Sequence, residues 1–203
     1  MTERLAVVVL AGGAGSRIGG AKPRRRLGRT TLIGHALDLA QAYGRQVAVA
    51  VRDESQVSGA VEARLLLDDP DIEGPLAGLA SALGFARGLG ADWVLTLPCD
   101  SPRLPPDLAL RLQQALRLGE AAALARSGGR LHPTCALWRV GCLEALTAYL
   151  ATGRRSLKGF AATVGMRVVD WPLAETDPFA NANTPEELAA LQPPPSALVA
   201  RNP

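Results

Sequence analysis

The chain has 203 residues, 48% of them apolar, and a formal net charge of +3. That length suits one α/β domain able to bury a core without disulfides. The small charge argues against a nucleic-acid binder, and no apolar run approaches the roughly 20 residues of a membrane span.

The first element is an apolar stretch, Leu5 to Leu10, that reads as a buried strand. No leader pattern precedes it, so a cytoplasmic protein is expected. The next stretch, LAGGAGSRIGGAK from Leu10 to Lys22, dominates the reading. Gly12, Gly13, Gly15, Gly19 and Gly20 leave backbone amides uncovered, with Arg17 and Lys22 beside them. Such a loop after a strand is a cradle for phosphate. Two standard phosphate motifs fail on inspection. Lys22 is followed by Pro23 rather than Ser or Thr, and Ile18 stands where a dinucleotide fingerprint needs its third glycine. Pro23 biases Lys22 toward an extended backbone. The basic run Lys22, Arg24, Arg25, Arg26 and Arg29 adjoins the loop and would draw in polyanionic ligands. The chain has only two lysines, Lys22 and Lys158, which sets Lys22 apart.

Thr30 or Thr31 can cap a helix in which Leu32, Ile33, Ala36, Leu37 and Ala40 recur at helical spacing. That helix stops near Gly44. Gln46 to Val51 reads as a second strand and Leu65 to Leu67 as a third, ending at Asp68 and Asp69. One of these aspartates is expected to cap a turn while the other faces the site. Gly74-Pro75 starts a helix, with Ala77 to Arg87 as its main body, and Gly78 permits a close approach. Trp93 to Leu97 reads as a central parallel strand ending at Asp100. Pro106 and Asp107 open a further helix. This alternation predicts a doubly wound α/β sheet.

The second half reads differently. Ala121 to Arg126 and Thr134 to Trp138 are strand-like and joined by a Gly-Gly turn, which predicts a smaller antiparallel element. Gly141 to Leu150 reads as helix and Met166 to Trp171 as strand. Thr184 and Glu187 form a capping-box pattern around Pro185. Residues 1–192 read as one domain and 193–203 as a loose Pro-rich tail. Cys99, Cys135 and Cys142 lack metal-ligand spacing, and Cys99 reads as core. His35 reads as a surface or satisfied core residue.

In open α/β sheets ligands bind beyond the carboxyl ends of the strands. The glycine loop, Asp68 and Asp100 should share that edge. A carboxylate there, near bound phosphates, suits a magnesium ligand, so Asp100 is the candidate. Lys22 would neutralise charge on transferring phosphates. Asn181 and Asn183, two apart on an extended segment, would aim two amides at one place and could hold a second anionic substrate.

The chain resembles the molybdenum cofactor guanylyltransferases, the MobA family. The matching pieces are LAGGAGSRIGG with Lys22, EGPLAGL, LPCDSP with Asp100, LHPTCAL around His132, the GRR at Gly153 to Arg155, and NANTPEEL. The resemblance implies a Rossmann-like nucleotidyltransferase fold. It also implies transfer of GMP from Mg-GTP to the terminal phosphate of molybdopterin, with release of pyrophosphate. By motif position Leu10, Ala11, Gly12, Gly13, Lys22, Asp68 and Asp100 would contact GTP. Asp100 would also bind Mg2+, and Lys22, Asp100 and Arg17 would carry catalysis. Asn181, Asn183, Arg154 and Arg155 would lie toward the pterin. Molybdenum-cofactor pathway proteins are the expected partners, with no nucleic acid and no membrane.

Two positions depart from the family's pattern. Ala21 stands where an aspartate usually precedes the lysine, in a loop one residue shorter, and about Ala50 stands where an asparagine often closes the second strand. Three alternatives stand beside this reading. The same chemistry could use CTP or another phosphorylated acceptor, or the chain could be a nucleotide-binding homologue without catalysis. A nicotinamide-dependent oxidoreductase is disfavoured by Ile18.

Overall fold

A computed structural model of the chain describes residues 4–13, 22–57, 59, 61–173, 175–182, 184, 187 and 188. Nine strands and five α-helices are assigned among them. In chain order they are β1 (Leu5–Leu10), β2 (Arg26–Leu27), β3 (Thr30–Thr31), α1 (Leu32–Tyr43), β4 (Gln46–Val51), β5 (Arg64–Leu67), α2 (Pro75–Gly88), β6 (Trp93–Pro98) and α3 (Leu108–Ala115). Then follow β7 (Ala122–Ser127), β8 (Arg130–Arg139), α4 (Leu143–Ala151), α5 (Leu157–Thr163) and β9 (Met166–Trp171).

Seven strands form one sheet in the order β5-β4-β1-β6-β8-β7-β9, and β2 and β3 make a separate two-stranded ribbon. The first four strands are mutually parallel. The expected antiparallel element is the β7–β8 hairpin, and it continues the same sheet. Here the reading of β6 as a parallel strand needs correction. β6 is central, but it is parallel to β1 and antiparallel to β8. The reason is the hairpin: β7 runs the same way as β6, and the Gly128-Gly129 turn, with both φ angles positive, folds β8 back between them, so β8 runs against both. β9 then returns parallel to β7.

The helices cover both faces. One layer packs α1 and α3 against the side of the sheet carrying Val7, Val9, Val49 and Leu95. The other packs α2, α4 and α5 against Ala6, Val8, Ala48 and Val94. Neighbouring residues of β1 enter opposite layers because strand side chains alternate. With both faces covered, β1, β4 and β6 read as continuous apolar runs rather than alternating ones.

Local signals act where the sequence puts them. Thr31 caps α1, its side chain accepting from Gly34 N–H. Gly74 precedes α2 with φ 74° and ψ −159°, a conformation essentially reserved for glycine, and Pro75 takes the first helical position. The sequence reading gives no element to 157–163, where α5 forms. That helix is short, contains Gly159, and rests on a Ser156 cap and the burial of Leu157, Phe160 and Ala161. Among the described residues no helix is long and apolar enough to cross a membrane.

Candidate active site

Three backbone bonds carry the sheet's ladder past the strand ends and draw the loops together. Ala11 N–H donates to Ala50 O (2.8 Å), Asp68 N–H to Val51 O (2.8 Å) and Cys99 N–H to Leu10 O (3.3 Å). The segments after β1, β5 and β6 therefore emerge side by side at the carboxyl edge. Ala50 contributes its carbonyl to this junction. Ala11 is buried with its amide committed to β4, so of the first loop residues Gly12 and Gly13 remain for a ligand.

Lys22 and Asp100 form an ion pair across this edge, both largely buried. Their positions are 78 residues apart in sequence, and the pair joins the Lys22–Arg24 turn to the loop after β6. The expected extended backbone at Lys22 is not found. Lys22–Arg24 forms a 3-10 turn closed by Arg25 N–H donating to Lys22 O. Pro23 is tolerated because no bond needs its missing N–H, and its ring is buried.

The loop that carries Asp100 is held at four successive points. Asp100 O accepts from Ala182 N–H (2.8 Å), and Ser101 Oγ donates to Asn181 Oδ1 (2.7 Å). His35 Nε2 donates to Pro102 O (2.7 Å) and Tyr43 Oη to Pro105 O (2.6 Å). His35 and Tyr43 both stand on α1, so that helix braces the loop. His35 is the satisfied, half-buried residue expected of it.

Asp68 occupies a niche of a different kind. A Cβ added at Gly12 would lie 2.5 Å from Asp68 Oδ2, and one at Gly78 would lie 3.8 Å from Oδ1 and 3.0 Å from Leu10 Cδ2. Gly12 thus makes the space for the carboxylate, while Gly78 makes room for Leu10. Burial raises its pKa above the ordinary 3.8, opposed by the charge of Arg52 and a long hydrogen bond from Ser81 (3.5 Å). Its neighbour Asp69 accepts from Asp71 N–H and so makes the turn, which divides the two roles as the sequence suggests. Arg52, Asp68, Asp69, Pro70, Ile72 and Glu73 line a cleft of about 320 Å³, room for part of a nucleotide.

Gln56 ties the cleft to the glycine loop. Its Oε1 accepts from Arg52 and Asp53 N–H, and its Nε2 donates to Gly13 O (3.4 Å). The sequence reading passes over this residue. The signal was the Asp53–Gln56 capping pair, which closes a 3-10 turn at Glu54–Gln56.

His132 and Ser127 sit at the top of the β7–β8 hairpin. Ser127 Oγ donates to Asp177 Oδ1 (2.7 Å), so it must accept from His132 Nε2–H (2.8 Å). Both residues are buried and the imidazole stacks on Phe179, with ring centroids 4.8 Å apart. Burial lowers the His132 pKa below 6.5. A serine that gives its only proton to a carboxylate is no nucleophile for this histidine. The trio is an anchor for segment 177–182. Opposite it, pairing shifts from Leu124↔Ala136 to Ala125↔His132, so Pro133, Thr134 and Cys135 form a bulge on β8. Bulges accommodate proline within a sheet.

Arg154 and Arg155 stand on the α4–α5 connection, in the layer of α2. Arg154 lies over the Tyr149 ring (4.8 Å), and Arg155 Nη1 donates to Leu150 O and Arg154 O, closing the end of α4. Asn181 instead belongs beside Ala182, which packs on Leu27 and Leu32. Arg17 and Asn183 lie outside the described residues. The Thr184–Glu187 capping box is formed in both directions. Cys99, Cys135 and Cys142 are all free and buried, and burial pushes the Cys99 thiol up to about 12.

Asp100 is a single carboxylate, and the described residues hold no cluster of three or more His, Cys, Asp or Glu. This donor set fits Mg2+ of the kind that takes one or two carboxylates and completes its shell with phosphate oxygens and water.

With this geometry in view, the comparisons agree. The MobA-like NTP transferase domain family matches residues 7–166. A molybdenum cofactor guanylyltransferase of Cereibacter sphaeroides is 37% identical over 191 residues, covering 93% of this chain and 96% of the relative. One from Sinorhizobium fredii is 37% identical over 91% of this chain and 89% of its own. The crystal structure of molybdopterin-guanine dinucleotide biosynthesis protein A from Archaeoglobus fulgidus superposes with a TM-score of 0.71 at 26% identity, over 91% of this chain and 95% of that one. The chain belongs to the MobA-like NTP transferases and, within them, to the molybdenum cofactor guanylyltransferases, a family of nucleotidyltransferase enzymes.

Proposed function

We propose that this enzyme transfers GMP from Mg-GTP to the terminal phosphate of molybdopterin, forming molybdopterin guanine dinucleotide and pyrophosphate. The observation that carries the reading is the Lys22–Asp100 pair at the end of β6, beside the glycine loop. The relatives' names, molybdenum cofactor guanylyltransferase and molybdopterin-guanine dinucleotide biosynthesis protein A, support transfer of a guanylyl group to a molybdopterin acceptor.

The chemistry needs little from the protein beyond position and charge. An oxygen of the acceptor phosphate attacks the α-phosphorus of GTP, a P–O–P linkage forms, and the bond to the β-phosphate breaks with its electrons leaving on pyrophosphate. The attacking phosphate is already ionised, so no general base is required, in keeping with a His132 turned away into its own hydrogen bonds. Lys22 would offset the charge that grows on the leaving phosphates. Asp100 would hold Mg2+, which when bound shares the charge of the phosphate oxygens. Asp68 and the cleft beside it would receive the nucleoside, Gly12 and Gly13 the phosphates, and Asn181 the acceptor side, with Asn183, Arg154 and Arg155 proposed there too. Arg17 is proposed as a second phosphate cation.

The test is a thermal-shift panel of GTP, CTP, ATP and UTP with and without magnesium, followed by product analysis with molybdopterin. A ligand at 100 times its Kd stabilises the fold by about 2.7 kcal/mol. A selective shift with Mg-GTP and formation of the guanine dinucleotide are expected. A selective shift with CTP would move the assignment to a cytidylyltransferase.

A further inference from the structure

We infer that Ser101 is a positioning residue that fixes the polarity of the Asn181 amide, turning its NH2 group toward the incoming phosphate of the acceptor. This rests on the reading of Asn181 as an acceptor-side residue.

The argument starts from proton counting. Ser101 is buried, 3% exposed, and its hydroxyl has one proton. That proton goes to Asn181 Oδ1 at 2.7 Å. Were the amide turned over, Nδ2 would donate to Ser101 Oγ, and this contact would no longer take the hydroxyl proton. The orientation that satisfies both groups buries the amide oxygen against Ser101 and leaves Nδ2, with two donors, on the other side. The backbone holds this arrangement in place. Ala182 N–H donates to Asp100 O next to the Ser101–Asn181 bond, so residues 100–101 and 181–182 are clasped by two adjacent bonds. Ala182 is buried against Leu27 and Leu32, which keeps the second strand of the clasp from sliding.

The consequence is electrostatic. A phosphate approaching this edge meets the loop held by the Lys22–Asp100 ion pair. An amide locked with its nitrogen outward adds the positive end of a dipole to the segment clasped against the Asp100–Ser101 loop. A freely turning amide would spend part of its time presenting oxygen, which repels the same ligand. The pair thereby selects an acceptor group, anionic or carbonyl, over a donor group.

The experiment compares wild type, Ser101→Ala, Ser101→Thr and Asn181→Asp, with molybdopterin varied at saturating Mg-GTP. Ser101→Ala should raise the KM for molybdopterin about tenfold, the scale of one lost orienting hydrogen bond. Its kcat and its KM for GTP should stay within about twofold. Ser101→Thr keeps the hydroxyl and should stay near wild type, which a purely steric role for Ser101 would not produce. Asn181→Asp, which presents a charged oxygen instead, should raise the molybdopterin KM further. An unchanged molybdopterin KM in Ser101→Ala, or an equal effect on GTP, overturns the inference. If wild type itself makes no dinucleotide from molybdopterin, the functional reading falls, and the pair is judged by NMR of the Asn181 side-chain amide titrated with inorganic phosphate. A shift in wild type that is lost in Ser101→Ala upholds it, and no shift in wild type overturns it.

Discussion

The two halves of the sheet solve the same problem by different means. In the parallel half, β5-β4-β1-β6, every strand delivers its loop to one edge, and short loops suffice to bring Gly12, Asp68 and Asp100 together. In the other half, β8-β7-β9, the strand β8 runs against both of its neighbours and brings its amino end to that edge. There the segment 177–182 must be fastened by side chains: Asp177 to Ser127, Phe179 to His132 and Asn181 to Ser101. The lesson is that topology places Gly12, Asp68 and Asp100, the proposed nucleotide side, while packing and hydrogen bonds place Asn181, the proposed acceptor side. Substitutions at Gly12 and Asp68 should therefore change nucleotide parameters, and those along the 177–182 segment and its fasteners His132 and Ser101 should change acceptor parameters.

The largest effect is expected where the halves meet. Lys22→Ala and Asp100→Ala should each lower kcat by about a hundredfold or more, measured as dinucleotide formed at saturating substrates. Wild-type turnover in either variant would remove that residue from the mechanism. Next comes Gly12→Ala. Its Cβ would overlap Asp68 Oδ2 at 2.5 Å, so the carboxylate must move. The KM for GTP should rise about tenfold while the molybdopterin KM holds, given that one displaced polar contact is worth about 1 kcal/mol.

His132→Gln tests the other half. Loss of the ring stacked on Phe179 should cost about 1–2 kcal/mol of fold stability and raise the molybdopterin KM several-fold, with the Mg-GTP thermal shift retained. The pH dependence has a definite sign. The folded His132 pKa lies below 6.5 because burial disfavours the charged ring. Its stabilisation is thus fully present above pH 6.5 and is lost as pH falls through the folded value. Unfolding midpoints of wild type and His132→Gln should converge between pH 7 and pH 5.

The smallest effect has the opposite slope. Asp68 has a folded pKa above 3.8, so the fold is at its most favoured with this group protonated and loses stability as pH rises through the folded value. Asp68→Asn should raise the melting temperature slightly at pH 7, and the gain should fade as pH drops below the ordinary carboxylate value. Its affinity for GTP should fall. A variant that melts lower at pH 7 would show that Arg52 and Ser81 outweigh the desolvation of this carboxylate.

Much of this was legible in the order of the residues. The apolar strand β1, the strand running toward Asp100, the Thr31 cap, the Gly-Gly hairpin and the Thr184–Glu187 box are all local, encoded within a few positions, so sequence by itself determined them. It assigned a turn to one of Asp68 and Asp69 without saying which, and the structure gives it to Asp69. What it could not contain were distances between remote positions. That Lys22 meets Asp100, that His35 and Tyr43 brace the loop from α1, and that Gln56 reaches Gly13 are consequences of which strands become neighbours. The turn at Lys22 was decided by tertiary structure over the bias of a following proline, since burial of the Pro23 ring outweighs a backbone preference. The antiparallel face of β6 and the bulge at Pro133 were decided in the same way, because sheet register depends on which partner a strand finds. The carboxyl edge of β1, β5 and β6 was thus fixed by pattern, and the clasp that holds Asn181 against it by hydrogen bonds and packing between remote segments.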